Sequence, residues 1–261
     1  MRVLDHAWDI DRFFESVSSA DNAVLLLDYD GTLAPFRVER DQAIPYPGVR
    51  ERLASLHRLQ GNRLIIVSGR DLDSLLPLLG LEEPPEIWGC HGAQRLHADG
   101  SRTESALSDQ ETGILDQVEA WAKTSGMEGQ LERKPTGVAF HWRGMLREER
   151  DLLREKAIEW WDTKENKGRL VLHGFDGGLE LRSSTVEKGV AIREILKETN
   201  ESSPVAYLGD DLTDEDAFAA LGGRGLSVLV RPEYRETTAH VWLRPPEEML
   251  EFLDRWVNCR S

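Results

Sequence analysis

The sequence predicts an α/β fold, a Rossmann-like parallel sheet with a smaller α+β module set into it. Three observations lead there. Apolar runs of strand length alternate with amphipathic stretches of helix length over residues 1–107, the signature of parallel strands joined by helical crossovers. The same alternation resumes over 184–261. Between them, residues 108–183 run helix, two extended pieces, helix, two extended pieces, an order that favours hairpins. A core interrupted by an insert of this kind is expected to carry the insert as a cap, or lid, over its active site.

The elements follow in order. Ile10, Phe13, Phe14 and Val17 recur at helical spacing and predict an opening amphipathic helix over 7–18. Val24–Leu27 is a run of four aliphatic residues, as expected of a strand buried on both faces, and the strand is placed at 24–28. A loop with Pro35, Pro45 and Pro47 leads to a helix burying Val49, Leu53 and Leu56. Strand 64–67 ends in Ser68-Gly69-Arg70, and a helix bearing Leu72, Leu75, Leu76 and Leu79 leads to a strand from Glu86 into Cys90-His91-Gly92.

In the insert, Ile114, Leu115, Val118 and Trp121 mark one helix, and Leu153, Ala157, Trp160 and Trp161 mark the other. Two short strands flank Pro135, and two more, 169–173 and 178–182, are joined through Phe175-Asp176-Gly177-Gly178. The core then resumes with helix 186–198, strand 205–208, helix 214–221, strand 226–230 and a closing helix carrying Met249, Leu250, Leu253, Trp256 and Val257.

Composition bounds the function. A formal net charge of −15 and the lack of a Lys/Arg stripe exclude a nucleic-acid partner. A small anion held by a few local cations and a metal remains compatible with that charge. The two cysteines, Cys90 and Cys259, form no metal or disulfide pattern, which fits a reducing cytoplasm. The first residues carry acids where an export signal needs bases, and no apolar run approaches ~18 residues, so neither export nor a membrane span is expected. A monomer or weak oligomer is expected.

The chemistry-bearing residues stand at strand ends. Asp28 and Asp30 follow the aliphatic run, and Gly31 follows them. Phosphate monoesters are inert, so their cleavage needs a nucleophile, a proton for the leaving alcohol and positive charge for the transferring oxygens. Asp28 can attack phosphorus, and Asp30 can protonate the departing oxygen and then take a proton from water. The plainer alternative is an Asp-Gly turn cap.

A second acidic group, Asp210-Asp211-Leu212-Thr213-Asp214-Glu215-Asp216, follows Val205–Leu208. Hard oxygen ligands of this kind suit Mg²⁺. Glu215 and Asp216 are explained as well by a helix dipole, but Asp210 and Asp211 are not. Ser68 offers a hydroxyl, and Gly69 and Arg70 offer donors, to a phosphate; the alternative for Ser68 is a helix N-cap. Lys188, at the start of a helix, can neutralise phosphate and restrain the nucleophile, or stand as a surface charge.

These pieces in this order resemble the haloacid dehalogenase superfamily, and nearly the whole chain takes part in the resemblance. Within it, Asp28–Pro35, Ser68–Arg70, His91–Ala93, Glu132–Pro135, Val138–Arg143, Leu179–Arg182 and Gly209–Phe218 are similar to the trehalose-6-phosphate phosphatases. The resemblance implies the haloacid dehalogenase fold and Mg²⁺-dependent hydrolysis of trehalose 6-phosphate through an aspartyl phosphate on Asp28. Asp30 would be the acid and base. The metal would be held by the Asp28 carboxylate, the Asp30 carbonyl and Asp210, with Asp211 and Asp214 as neighbouring acids. Ser68 and Lys188 would hold the phosphate. Glu132, Lys134 and Glu180, with His141 and Arg143, would read the sugar hydroxyls, where unpaired buried groups penalise the wrong sugar. An ordinary surface ion pair is the alternative for Glu132 and Lys134.

Two positions depart from the family pattern: Ser183 stands where proline is usual, and Gln94 where an acid is common. Both bear on the sugar more than on the reaction. The alternatives are a phosphatase for the phosphate of sucrose, glucosylglycerol or mannosylglycerate, and a non-catalytic sugar-phosphate-binding module. A mutase is disfavoured by the lack of an arginine cluster for a second phosphate.

Overall fold

The computed structural model describes residues 1–164, 167–175 and 177–261. Asp176, expected in the linker between two strands of the insert, lies outside the described residues. Two compact units are present, one made of Met1–Thr103 with Glu187–Ser261 and the other of Glu104–Val186.

The first unit is built on β1 (Arg2–Val3), β2 (Ala23–Leu27), β3 (Asn62–Val67), β4 (Glu86–Gly89) and β5 (Gln94–Leu96), with α1 (Ile10–Ser19), α2 (Val49–Arg58) and α3 (Leu72–Leu79) between them, and β6 (Arg102–Glu104) runs across the end of its first segment. The insert contributes α4 (Asp109–Thr124), β7 (Leu131–Lys134), β8 (Gly137–His141), α5 (Arg147–Asp162), β9 (Leu170–Phe175) and β10 (Gly178–Ser183). The chain closes with α6 (Lys188–Lys197), β11 (Val205–Gly209), α7 (Leu212–Leu221), β12 (Leu226–Val230), β13 (Val241–Leu243) and α8 (Glu247–Arg260).

The large sheet has the order β1-β13-β12-β11-β2-β3-β4-β5-β6. From β13 to β4 all neighbours are parallel, while β1 and β5 add antiparallel pairings toward the edges. Every residue of β2 is buried, because helices cover both faces of the sheet. Leu25 and Leu27 point into a core with Phe14, Val49, Leu53, Met249 and Trp256. Val24 and Leu26 point the other way, onto Ile192, Ile195 and Phe218.

Chain order runs outward from β2 through β3 and β4 on one side, and from β11 through β12 and β13 on the other. Adjacent β2 and β11 therefore form the switch point at which an open parallel sheet leaves a crevice beyond its carboxyl ends. The strands β1, β5, β6 and β13 were not anticipated. At two or three residues each, they are too short to display a period.

The second unit has its own core. Its antiparallel sheet, ordered β7-β8-β10-β9, lays Val138, Phe140, Leu179 and Leu181 against Leu115 and Val118 of α4 and Leu153, Ala157 and Trp161 of α5. Strand alternation sends Glu180 and Arg182 to the opposite face. They too are buried.

Candidate active site

Strand register assembles the first acids. Leu27 of β2 pairs with Leu208 of β11, and the Asp28 amide donates to the Leu208 carbonyl at 2.8 Å. Asp28 and Asp210 thus leave adjacent strand ends together. The chain then turns at Gly31, whose φ of +83° lies in the left-handed region. A Cβ there would stand 2.3 Å from Asp210 Oδ2, so the turn holds the Asp210 carboxylate against bare backbone. Gly31→Ala is expected to cost about 1–3 kcal/mol of stability from the strained backbone alone. It should also displace the Asp210 carboxylate, and a thermal melt of wild type and variant measures the cost.

Lys188 opens α6 and is buried. Its Nζ donates to Asp28 Oδ1 at 2.5 Å and to Asp214 Oδ1 at 2.7 Å. Burial works against its ammonium charge, but Asp214 and Asp28 outweigh that and lift its pKa above the usual lysine range. Burial raises the Asp28 carboxyl to about 7 against the pull of Lys188. At Asp214 the balance reverses. Burial is outweighed by Lys188, the Tyr207 hydroxyl and backbone donors, and the carboxyl is held below its ordinary value.

Asp28, Asp210 and Asp214 bring one carboxylate oxygen each within 4.8 Å of one another. Asp214 is nevertheless a poor metal ligand, because all its acceptor capacity is used. Lys188 and Tyr207 donate to Oδ1, and the amides of Asp210 and Asp211 donate to Oδ2 at 2.9 and 2.8 Å. Asp210 is the converse. Both its carboxylate oxygens are buried, and neither has a hydrogen-bond donor among the described residues. Burial, with Asp28, Asp214 and Asp211 nearby, drives its pKa well above the ordinary carboxylate value. Arg231 Nη1 stands 3.8 Å from Asp210 Oδ2, beyond hydrogen-bond reach, so the two Asp210 oxygens beside Asp28 remain able to take a hard divalent metal.

Two arginines that the sequence reading missed support this loop. Arg231 and Arg235 donate to the Asp210 carbonyl at 3.2 and 3.3 Å, and Arg235 reaches the Asp211 carbonyl at 2.8 Å. Glu215 stands in the first turn of α7, as the helix-dipole reading requires, and also accepts from Thr237 and Thr238, which ties their loop to α7. Asp211 caps α7, accepting from the Leu212 amide.

Ser68 is buried at the end of β3, and its hydroxyl accepts from the Arg70 amide at 3.1 Å. It does not cap α3; Asp71 does. Gly69 lies under His91, where a Cβ would come within 2.7 Å of the ring. The Arg70 side chain grips Asp30 instead of standing ready for a phosphate. Nε and Nη2 donate to the two carboxylate oxygens, each at 2.7 Å.

In the second unit, Lys134 Nζ meets Glu180 Oε1 at 2.8 Å in a buried pair, not the surface pair weighed as its alternative. Glu132 pairs with His141 at 2.8 Å, and Arg143 packs where a Cβ on Gly177 would lie 2.9 Å away. Arg182 was not singled out, although it stands two residues from Glu180 on the same face. It is buried with Nε and Nη1 lacking hydrogen-bond partners among the described residues. At the two departures, Gln94 Oε1 accepts the Leu72 amide at the start of α3, as an acid could, and Ser183 bonds Thr185 at 2.9 Å.

The fold and these strand-end acids define the class. The chain has the fold of haloacid dehalogenase-like hydrolases, superposing on one from B. subtilis with a TM-score of 0.61 at 14% identity over 88% of this chain and 98% of that one. The family model for trehalose-phosphatase matches residues 26–240, and the chain belongs to that family.

The C-terminal domain of Candida albicans trehalose-6-phosphate phosphatase superposes with a TM-score of 0.82 at 23% identity, covering 99% of both chains. A trehalose-phosphate phosphatase of Mycobacterium marinum is 31% identical over 251 residues, 91% of this chain. The chain spans 62% of that relative's length. Among the described residues no helix is long and apolar enough to cross a membrane.

Proposed function

We propose that the protein is a phosphatase that hydrolyses trehalose 6-phosphate to trehalose and phosphate through an aspartyl phosphate on Asp28, with Mg²⁺ as cofactor. The observation that carries this reading is the bridge of Lys188 between Asp28 and Asp214, beside a buried Asp210 carboxylate that has no hydrogen-bond donor among the described residues and only Arg231, at 3.8 Å, as an ion-pair neighbour there.

Asp28 Oδ attacks phosphorus, the bond from phosphorus to the sugar oxygen breaks, and Asp30 protonates that oxygen. Asp30 then takes a proton from water as the water attacks phosphorus, and Asp28 departs as a carboxylate. Lys188 fixes the nucleophile and offsets charge on the transferring oxygens, and Ser68 offers its hydroxyl to them. Asp28, Asp210 and the Asp30 carbonyl would hold the metal, which supplies positive charge to the phosphoryl group.

Trehalose 6-phosphate is favoured over other disaccharide phosphates by the family and by the names of the similar proteins. The second unit is read as the cap, with Glu132, Lys134 and Glu180 taking sugar hydroxyls, joined by Arg182, whose buried Nε and Nη1 have no hydrogen-bond acceptor among the described residues and whose Nη1 stands 4.0 Å from Glu180 Oε2. A panel of phosphorylated disaccharides compared by kcat/KM tests the assignment, with trehalose 6-phosphate expected to lead and chelation to abolish turnover. If another sugar phosphate led, the substrate would be reassigned. No phosphate release from any of them with Mg²⁺ would favour a binding module.

Glu180→Gln keeps the shape of the side chain and removes the negative charge opposite Lys134. It should lower kcat/KM for trehalose 6-phosphate about 10- to 100-fold and leave a small aryl phosphate nearly unchanged. Equal losses on both substrates would remove Glu180 from sugar reading.

A further inference from the structure

We propose, on the reading of Asp30 as the proton donor and acceptor, that Arg70 is the positioning residue that aims the Asp30 carboxylate. The two partners differ in how firmly each is held. The Arg70 side chain is only 5% exposed, whereas that of Asp30 is 30% exposed.

The Arg70 backbone is fixed at both ends. Its amide donates to Ser68 Oγ at 3.1 Å and its carbonyl accepts the Cys90 amide at 2.7 Å. Its guanidinium lies 5.7 Å from the centroid of the Tyr29 ring, and the Tyr29 hydroxyl is anchored to the Ala43 carbonyl at 2.7 Å. Arg70 is therefore the fixed member. The Asp30 backbone is set by the Gly31 turn, where the Gly31 amide donates to the Ala34 carbonyl at 2.7 Å, and its partly exposed carboxylate is held by Arg70.

A planar fork with two bonds of 2.7 Å fixes both the position and the plane of that carboxylate. Proton transfer demands this, since a displacement of about 1 Å at a reacting group can cost about 10²-fold in rate. Arg70 thus acts through Asp30 on both half-reactions. In the first, the bond from phosphorus to the leaving oxygen breaks as that oxygen takes the Asp30 proton. In the second, the bond from phosphorus to Asp28 breaks as Asp30 takes the proton of the attacking water.

The two half-reactions give a distinctive signature. A sugar alkoxide needs the proton to leave; p-nitrophenolate does not. Arg70→Gln should lower kcat/KM for trehalose 6-phosphate by about 10- to 100-fold while largely sparing kcat/KM for p-nitrophenyl phosphate. Hydrolysis of the phosphoenzyme should slow on both substrates, so p-nitrophenyl phosphate should give a burst of nitrophenolate, and acid-quenched protein should carry the phosphoryl group. Arg70→Lys, which cannot form the fork, should show the same signature more weakly.

A double-mutant cycle completes the test. If Arg70 works through Asp30, Arg70→Gln in an Asp30→Asn background should have no further effect on either substrate. Equal losses on the two substrates without a burst would overturn the proposal, as would additive losses in the cycle or a large rise in the inhibition constant for inorganic phosphate. The last result would give Arg70 to phosphate binding. The two readings fail separately. An Asp30→Asn variant unaffected on either substrate would remove the acid and base role itself. A leaving-group-selective Asp30→Asn beside an unselective Arg70→Gln would overturn only the role of Arg70.

Discussion

Asp28→Asn should abolish turnover, with kcat lower by roughly 10⁴-fold or more, and leave the fold intact. An amide is too weak a nucleophile to displace an alkoxide from phosphorus. Its oxygen, however, can still accept from Lys188, whose Nζ lies 2.5 Å from Asp28 Oδ1 and keeps Asp214 as a second partner. The fold should hold because Lys188 keeps Asp214 as its counter-charge and the amide oxygen keeps the hydrogen bond. Acid-quenched wild-type protein should carry one phosphoryl group on the peptide that contains Asp28, and the variant none. An Asp28→Asn protein with substantial turnover would refute nucleophilic attack by Asp28.

Lys188→Met should fail in both respects. Removing the cation leaves two buried carboxylates without the charge that holds them, and breaking a buried ion pair from one side costs about 3–5 kcal/mol. Urea unfolding of metal-free protein would measure this, and phosphate release should fall by orders of magnitude in whatever fraction stays folded. The pH dependence has a definite sign. In the wild type Lys188 depresses the Asp214 pKa, which supplies stability lost as pH falls through that folded value, while Asp28, already raised to about 7, supplies stability lost as pH rises toward that value. In the variant both acids have raised folded values, so stability is greatest at low pH and is lost as pH rises through them. The deficit relative to wild type should therefore widen from pH 5 to pH 8. A constant deficit would place the role of Lys188 elsewhere than in these two charges.

The fold class is legible because β2 is an unbroken aliphatic run and the helices flanking it repeat with a clear period. Ile10, Phe13, Phe14 and Val17 of α1 are all buried, as their spacing requires. Helix starts blur by a few residues; α1 begins at Ile10, not residue 7, because Asp9 caps it. Asp28, Lys188 and Asp210 each stand at the end or start of an element, which makes them visible as candidates, and strand register brings the two aspartates together.

What the sequence does not display is which partner each group takes. Arg70 reads as a phosphate ligand until tertiary packing sets its fork on an aspartate 40 positions away. Asp214 reads as one acid among several until four donors are found around it. Arg182 shares a face with Glu180, but only the packed sheet reveals that its Nε and Nη1 have no hydrogen-bond acceptor among the described residues.

The pairing of β2 with β11 also dictates an order of events during synthesis. Val24 waits for Val205, so the central strand of the large sheet has one unsatisfied backbone edge while about 180 further residues are made. The second unit, contiguous from Glu104 to Val186, contains its entire sheet and can close before that partner is available. A nascent chain stalled before residue 205 should therefore hold a folded insert beside an unfinished, adhesive half-sheet, the stage at which chaperone dependence and aggregation concentrate.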